Sequence, residues 1–175
     1  MASVVFLRAA NVGKHNRFQP GVLSKELAKF GVVNIGAVGT FVVRETVAEK
    51  ALRAAILGKL PFKCDVMICP AKEIVDLARG NPLKNEPTGK DRRVFLTVMS
   101  APPPRLPKLP IYAPDAKNWE VKIVSVTGAC VLSLWRRLKE NPLYPNAVIE
   151  KEFGVATTTR SWNTVQKVCD ILKDS

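Results

Sequence analysis

Residues 1–70 alternate between short unbroken apolar runs and stripes of helical period, and that order restricts the fold more than any other feature of the chain. Val4-Val-Phe-Leu7 reads as a buried strand, followed by a polar loop, Asn11–Arg17. Pro20 suits a first helical turn, Leu23, Leu27 and Phe30 share one helical face, and Gly31 is placed as a C-terminal cap. Val32–Ile35 and Thr40–Val43 are β-rich stretches around Gly36 and Gly39, the pattern of a hairpin. Thr46 and Glu49 have capping-box spacing ahead of a helix that runs to about Gly58. Lys63–Cys69 is the next strand, and Pro70 opens a short helix that carries Ile74 and Leu77 and ends at Gly80. The string β-α-β-β-α-β is that of a split βαβ plait, with helices on one face of an antiparallel sheet.

Residues 81–92 hold prolines, a glycine and polar residues, and read as a linker. A second unit over 93–175 opens with the strand Arg93–Met99. The proline-rich loop 101–114 then excludes a helix. In Trp119–Ser125 the apolar Trp119, Val121 and Ile123 alternate with Glu120 and Lys122, which predicts a half-buried strand with both charges outward. Thr127-Gly128 turns the chain into a returning strand, Ala129–Trp135. A short helix over Ala147–Phe153 ends at Gly154, and Trp162, Val165, Val168 and Leu172 mark the last helix. The expected class is α+β, two ferredoxin-like (α/β plait) subdomains over 1–80 and 93–175. The second is degenerate, its first helix replaced by the proline-rich loop.

Two segments carry a family resemblance. Phe6-Leu-Arg-Ala-Ala-Asn-Val-Gly-Lys-His-Asn-Arg-Phe18 resembles the opening LRGINVGG-type signature of a bacterial family, the domain of unknown function 1697. Phe153-Gly-Val-Ala-Thr-Thr-Thr-Arg-Ser-Trp-Asn-Thr-Val165 resembles its closing TTRNWNT-type signature. The resemblance implies a two-part α+β protein and no activity. Ala9-Ala10 replaces the usual Gly-Ile, and Ala37-Val-Gly-Thr40 replaces a polar Gln-Ser-Gly-Asn.

The chemistry is narrowed mainly by exclusion. Cys64, Cys69, Cys130 and Cys169 all sit in apolar company and read as core cysteines; a single histidine leaves no imidazole-rich metal site, and no metal or other cofactor is expected. Every cysteine being core, and His15 being the only imidazole, argues against an assembled nucleophile–base set. Asp65, inside an apolar stretch, is expected to be a buried, paired structural acid. No apolar run approaches the ~20 residues of a bilayer span. The N-terminus lacks a basic region and a cleavage site, so no membrane association and a cytoplasmic location are expected.

Charge is the positive signal. Lysine and arginine exceed acids to give a net charge of +12. Arg8, Lys14, Arg17, Lys25, Lys29 and Arg44 stand against Glu26 alone in residues 1–44; further groups are Lys84–Lys108 and Arg136, Arg137 and Lys139. Such clustering is the footprint of a polyanion binder. The candidate plait-sheet aromatics Phe6, Phe41 and Phe95 lie in apolar runs, so the expected binding is without base readout. The anion-binding candidates are Arg8, Asn11, Gly13, Lys14, His15 and Arg17 in the first loop and Thr158, Thr159 and Arg160 before the last helix. Capping of that helix by one of these hydroxyls is also expected. Two function classes stay open: a module that binds nucleic acid or another polyanion, and an enzyme that grips a small phosphorylated or carboxylated substrate between the subdomains. The sharpest expectation is that Arg8 or Arg17 approaches Arg160 and shares one anion with it.

Overall fold

The computed structural model describes residues 1–80, 83–86 and 89–173. Two compact units divide the chain, Met1–Val75 with Gln166–Ser175, and Asp76–Val165. Among the described residues no helix is long and apolar enough to cross a membrane.

The first unit contains β1 (Ser3–Leu7), α1 (Pro20–Glu26), β2 (Val32–Ile35), β3 (Thr40–Val43), α2 (Glu49–Leu57) and β4 (Val66–Pro70). All pairings are antiparallel, in the order β2-β3-β1-β4. Each helical connection therefore skips a strand position, which is how a β-α-β-β-α-β chain keeps every neighbour antiparallel. Val5, Leu7, Phe41, Val43 and Val66 pack with Leu23 of α1, Leu27 at its C-terminal cap, and Leu52 and Ile56 of α2. Val4, Phe6, Val42 and Met67, on the opposite sheet face, are buried as well. Burial of both faces explains why β1 is apolar without alternation.

Local details differ from the sequence expectation. The first helix stops at Leu27, and Ala28–Phe30 tighten into a 3-10 turn before Gly31, which takes a left-handed φ of 61°. The capping box does not form: Ala48 precedes α2 and supplies no side-chain cap, while Thr46 Oγ1 accepts from the Met1 ammonium. Glu49 instead pairs with Arg53 at 2.6 Å, one turn along the helix. The strand expected at Lys63 begins at Val66, so Asp65 precedes it; its side chain is 56 % exposed rather than buried.

Helix α3 (Ala71–Arg79) leads into β5 (Arg92–Met99), β6 (Ile111–Ala113), β7 (Val121–Thr127), β8 (Cys130–Arg136), α4 (Pro145–Phe153), β9 (Thr157–Ser161) and α5 (Trp162–Lys173). The second sheet is antiparallel throughout, in the order β6-β7-β8-β5-β9. Its β7-β8-β5-β9 portion repeats the relative order of β2-β3-β1-β4, and β6 adds an edge where the first unit has α1. Ile149 of α4 packs with Met99, Val121, Ile123, Val131 and Trp135. Strands β6 and β9 were not expected from sequence. Thr157–Arg160, expected from sequence to supply one helix cap and anion contacts, lies in a ladder strand that opens with three β-branched threonines. Glu120 overturns the alternation argument, being only 2 % exposed. Ion pairing accounts for Lys122, whose ammonium lies 2.6 Å from Glu86 with both side chains 16 % exposed.

Candidate functional site

Leaving β1, the chain needs a tight loop before α1, and it uses left-handed backbone to make one. Ala9, Asn11, Gly13 and Asn16 have φ of 53°, 52°, 58° and 50°. Only glycine adopts such values without strain, and asparagine tolerates them best among the rest. The loop closes on itself through Asn11 N–H to Asn16 O at 3.0 Å and His15 N–H to Val12 O at 3.1 Å. The Asn11 side chain is its anchor. Nδ2 donates to Ala37 O at 2.7 Å and to Phe18 O at 3.1 Å, and Oδ1 accepts from Phe18 N at 2.9 Å. Asn11, proposed from sequence as a ligand contact, thus spends its donors and acceptor on backbone.

That anchoring leaves the cations outside. Lys14, His15 and Arg17 are exposed, and Arg17 Nη1 donates to Gly13 O at 3.0 Å, which fixes its direction. An open cavity of about 570 Å³ lies beside them, lined by Arg17, Gln19, Lys25 and neighbouring apolar and backbone surface, with no acidic residue in its wall. Helix α1 is only seven residues long, so the side chains dominate this field and its dipole adds little. Arg8 faces a different cavity, of about 370 Å³, with Asp65 Oδ2 at 3.5 Å. Both partners of that pair are substantially exposed, so it contributes at most about 1 kcal/mol. Cys64 lines the same cavity; burial and then Asp65 push its thiol above the ordinary cysteine value, which makes it a poor nucleophile. Cys69 and Cys130 are buried as expected, while Cys64 and Cys169 are only partly so.

Thr158, Thr159 and Arg160 belong to the second unit, so the two groups of sequence-selected residues fall in different compact units. Arg160 is 7 % exposed and sits across the ladder from Leu96. Its Nη1 donates to Thr158 Oγ1 at 2.7 Å and to Thr159 O at 3.0 Å. Thr159 Oγ1 lies 2.8 Å from Thr97 Oγ1, and Thr157 donates through both N and Oγ1 to Glu150. These hydroxyls tie β9 to β5 and α4.

Burial pushes the Arg160 guanidinium down to about 10. The unfolded chain holds that proton more tightly, so the cost of the buried charge is fully present below pH 10 and fades as pH rises through it. An Arg160→Met variant lacks this dependence. The difference in urea midpoint between wild type and variant is expected to move in favour of wild type as pH rises from about 9 to about 11; a flat difference contradicts the assignment.

Sequence reasoning missed a cluster of cations and aromatic rings at one end of the second sheet. Register pairs Arg93 with Trp135 and Arg92 with Arg136. Arg93 Cζ lies 5.7 Å from the Trp135 ring, and Arg136 and Arg92 lie 4.2 and 5.7 Å from Trp119. Tyr144 stacks on Trp135 with centroids 5.6 Å apart and planes 10° from parallel. Glu120 holds the intervening loop: its Oε2 is 3.3 Å from Lys139 Nζ and accepts from Leu143 N at 3.4 Å, while Oε1 is buried without a hydrogen-bond partner among the described residues. The Arg92-Arg93 and Trp135-Arg136-Arg137 runs were the available signals, but only strand pairing brings them together.

A family model described as "Protein of unknown function (DUF1697)" matches residues 1–127. The match includes the opening signature and ends before the closing one. No curated protein and no solved structure matches the chain.

Proposed function

The chain belongs to the DUF1697 family, and from that premise we propose that it binds polyanions through phosphate contacts, with the loop after β1 as one of the gripping elements. The observation that carries this reading is the acid-free cavity of about 570 Å³ between Arg17 and Lys25. Two exposed cations across an open, water-accessible space attract an anion at small desolvation cost, and a fork-shaped guanidinium suits phosphate oxygens. Lys14 and His15 extend the same basic surface, and Gly13, beside whose Cα there is open space, lets a ligand approach the backbone. The net charge of +12 supplies long-range attraction. In this reading Asn11 shapes the loop, while Thr158, Thr159 and Arg160 serve the second sheet.

The test is equilibrium binding of heparin and of labelled oligonucleotides to wild type and to the Arg17→Glu/Lys25→Glu double variant. Both residues are exposed, so the variant is expected to fold as wild type does, while affinity drops roughly tenfold or more at low salt. Unchanged affinity removes this cavity from the reading.

A further inference from the structure

We propose that the second unit carries a stacking platform for an unpaired nucleobase, formed by Tyr144 on Trp135 and flanked by Arg93, so that the polyanion bound is single-stranded nucleic acid. This inference rests on the polyanion reading and narrows it.

Tyr144 is 51 % exposed although one side of its ring lies against Trp135. A ring stacked on one side and half exposed offers its other side to solvent. The platform is rigid from below. Trp135 is only 7 % exposed, packs edge-on to Phe95 at 6.2 Å and 84°, and donates Nε1–H to Leu143 O at 2.7 Å. Leu143 N is held in turn by the buried Glu120 carboxylate, so the residue next to Tyr144 is fixed through both of its backbone polar groups. Tyr144 makes no side-chain cap to α4, which leaves its ring without a part in starting that helix.

Cations outnumber exposed acids in the strand and loop beside the ring. Arg93, Arg137 and Lys139 are exposed in the paired strand and the adjoining loop. Of the nearby acids, Glu120 is buried against Lys139, while Glu140 is exposed and its carbonyl accepts from Arg137. Cations interleaved with a presented aromatic face are what single strands require: phosphates take the charge and a base takes the ring. A duplex satisfies only the first half, because its bases are already stacked on one another. Hence the platform discriminates single strands from duplex and from sugar polyanions.

The experiment is fluorescence anisotropy of oligo(dT), oligo(rU), a duplex and heparin with wild type, Tyr144→Ala and Tyr144→Phe. Tyr144→Ala is expected to weaken single-strand binding roughly tenfold. Duplex and heparin binding stay at the wild-type level, and Tyr144→Phe stays within about twofold for every ligand because the ring is retained. Should Tyr144→Ala leave single-strand affinity unchanged, or weaken all ligands equally, the platform is refuted while polyanion binding stands. If wild type binds none of the four ligands, the polyanion reading falls and the platform with it. Ultraviolet crosslinking of wild type to a 4-thiouridine oligomer needs no variant. The platform predicts crosslinks in the peptide containing Tyr144, and crosslinks confined elsewhere refute it.

Discussion

Replacing Gly39 with alanine is expected to destabilise the first unit by about 3 kcal/mol, whereas the same change at Gly36 costs about 1 kcal/mol. Both glycines sit in the β2–β3 hairpin turn with φ of 73°, so both substitutions incur the same left-handed penalty. The surroundings differ. A Cβ at Gly36 meets open space, but at Gly39 it would stand 2.8 Å from Leu7 Cβ and 2.9 Å from two further atoms of that side chain. Leu7 is fully buried in the first core and its N–H donates to Gly39 O at 2.8 Å, so neither side of the contact can yield cheaply. Urea or thermal unfolding of the two variants measures the difference directly. Equal destabilisation at the two positions contradicts the packing described for the hairpin and β1.

Asn11→Ala is expected to cost about 2–3 kcal/mol, from three side-chain hydrogen bonds at roughly 1 kcal/mol each, moderated by their partial exposure. Alanine is also strained at a φ of 52°. Asn11→Gly loses the same bonds without that strain, and is expected to be more stable than Asn11→Ala by about 1 kcal/mol. Because the side chain ties the loop to Phe18 and Ala37, loss of polyanion affinity in either variant should follow the loss of loop order rather than precede it. Amide exchange over residues 9–18 separates the two: weakened binding with full protection would make Asn11 a ligand contact instead.

Much of the first sheet was legible because its strands are short apolar runs bounded by glycine, proline or polar loops, and buried strands need nothing more specific. What failed was wherever one residue type serves two structures. Three threonines and an arginine before a helix read as one cap and a group of anion contacts, yet the β-branched threonines also suit a strand, and only pairing with β5 reveals it. Period-2 alternation put Glu120 in solvent; the loop that returns over it through Lys139 and Leu143 lies outside any local window. Asp65 erred in the opposite direction, since the strand starts at Val66 rather than Lys63 and releases the Asp65 side chain to Arg8. The basic loop after β1 was visible from composition, but not the division of labour inside it, where Asn11 builds and Arg17 is presented. The Tyr144 platform depends on the 93–135 register, a contact between residues far apart in the chain.

Affinity for a single-stranded oligonucleotide as a function of salt tests the central claim most directly. Counterion release makes log K fall linearly with log salt, with a slope of roughly −0.7 for each phosphate neutralised on a single strand. The expected result is a steep linear fall for wild type, and a slope shallower by roughly 1.4 for Arg17→Glu/Lys25→Glu, in which two such contacts are removed. Absence of binding at low salt, or an affinity indifferent to salt, contradicts phosphate recognition by this basic surface.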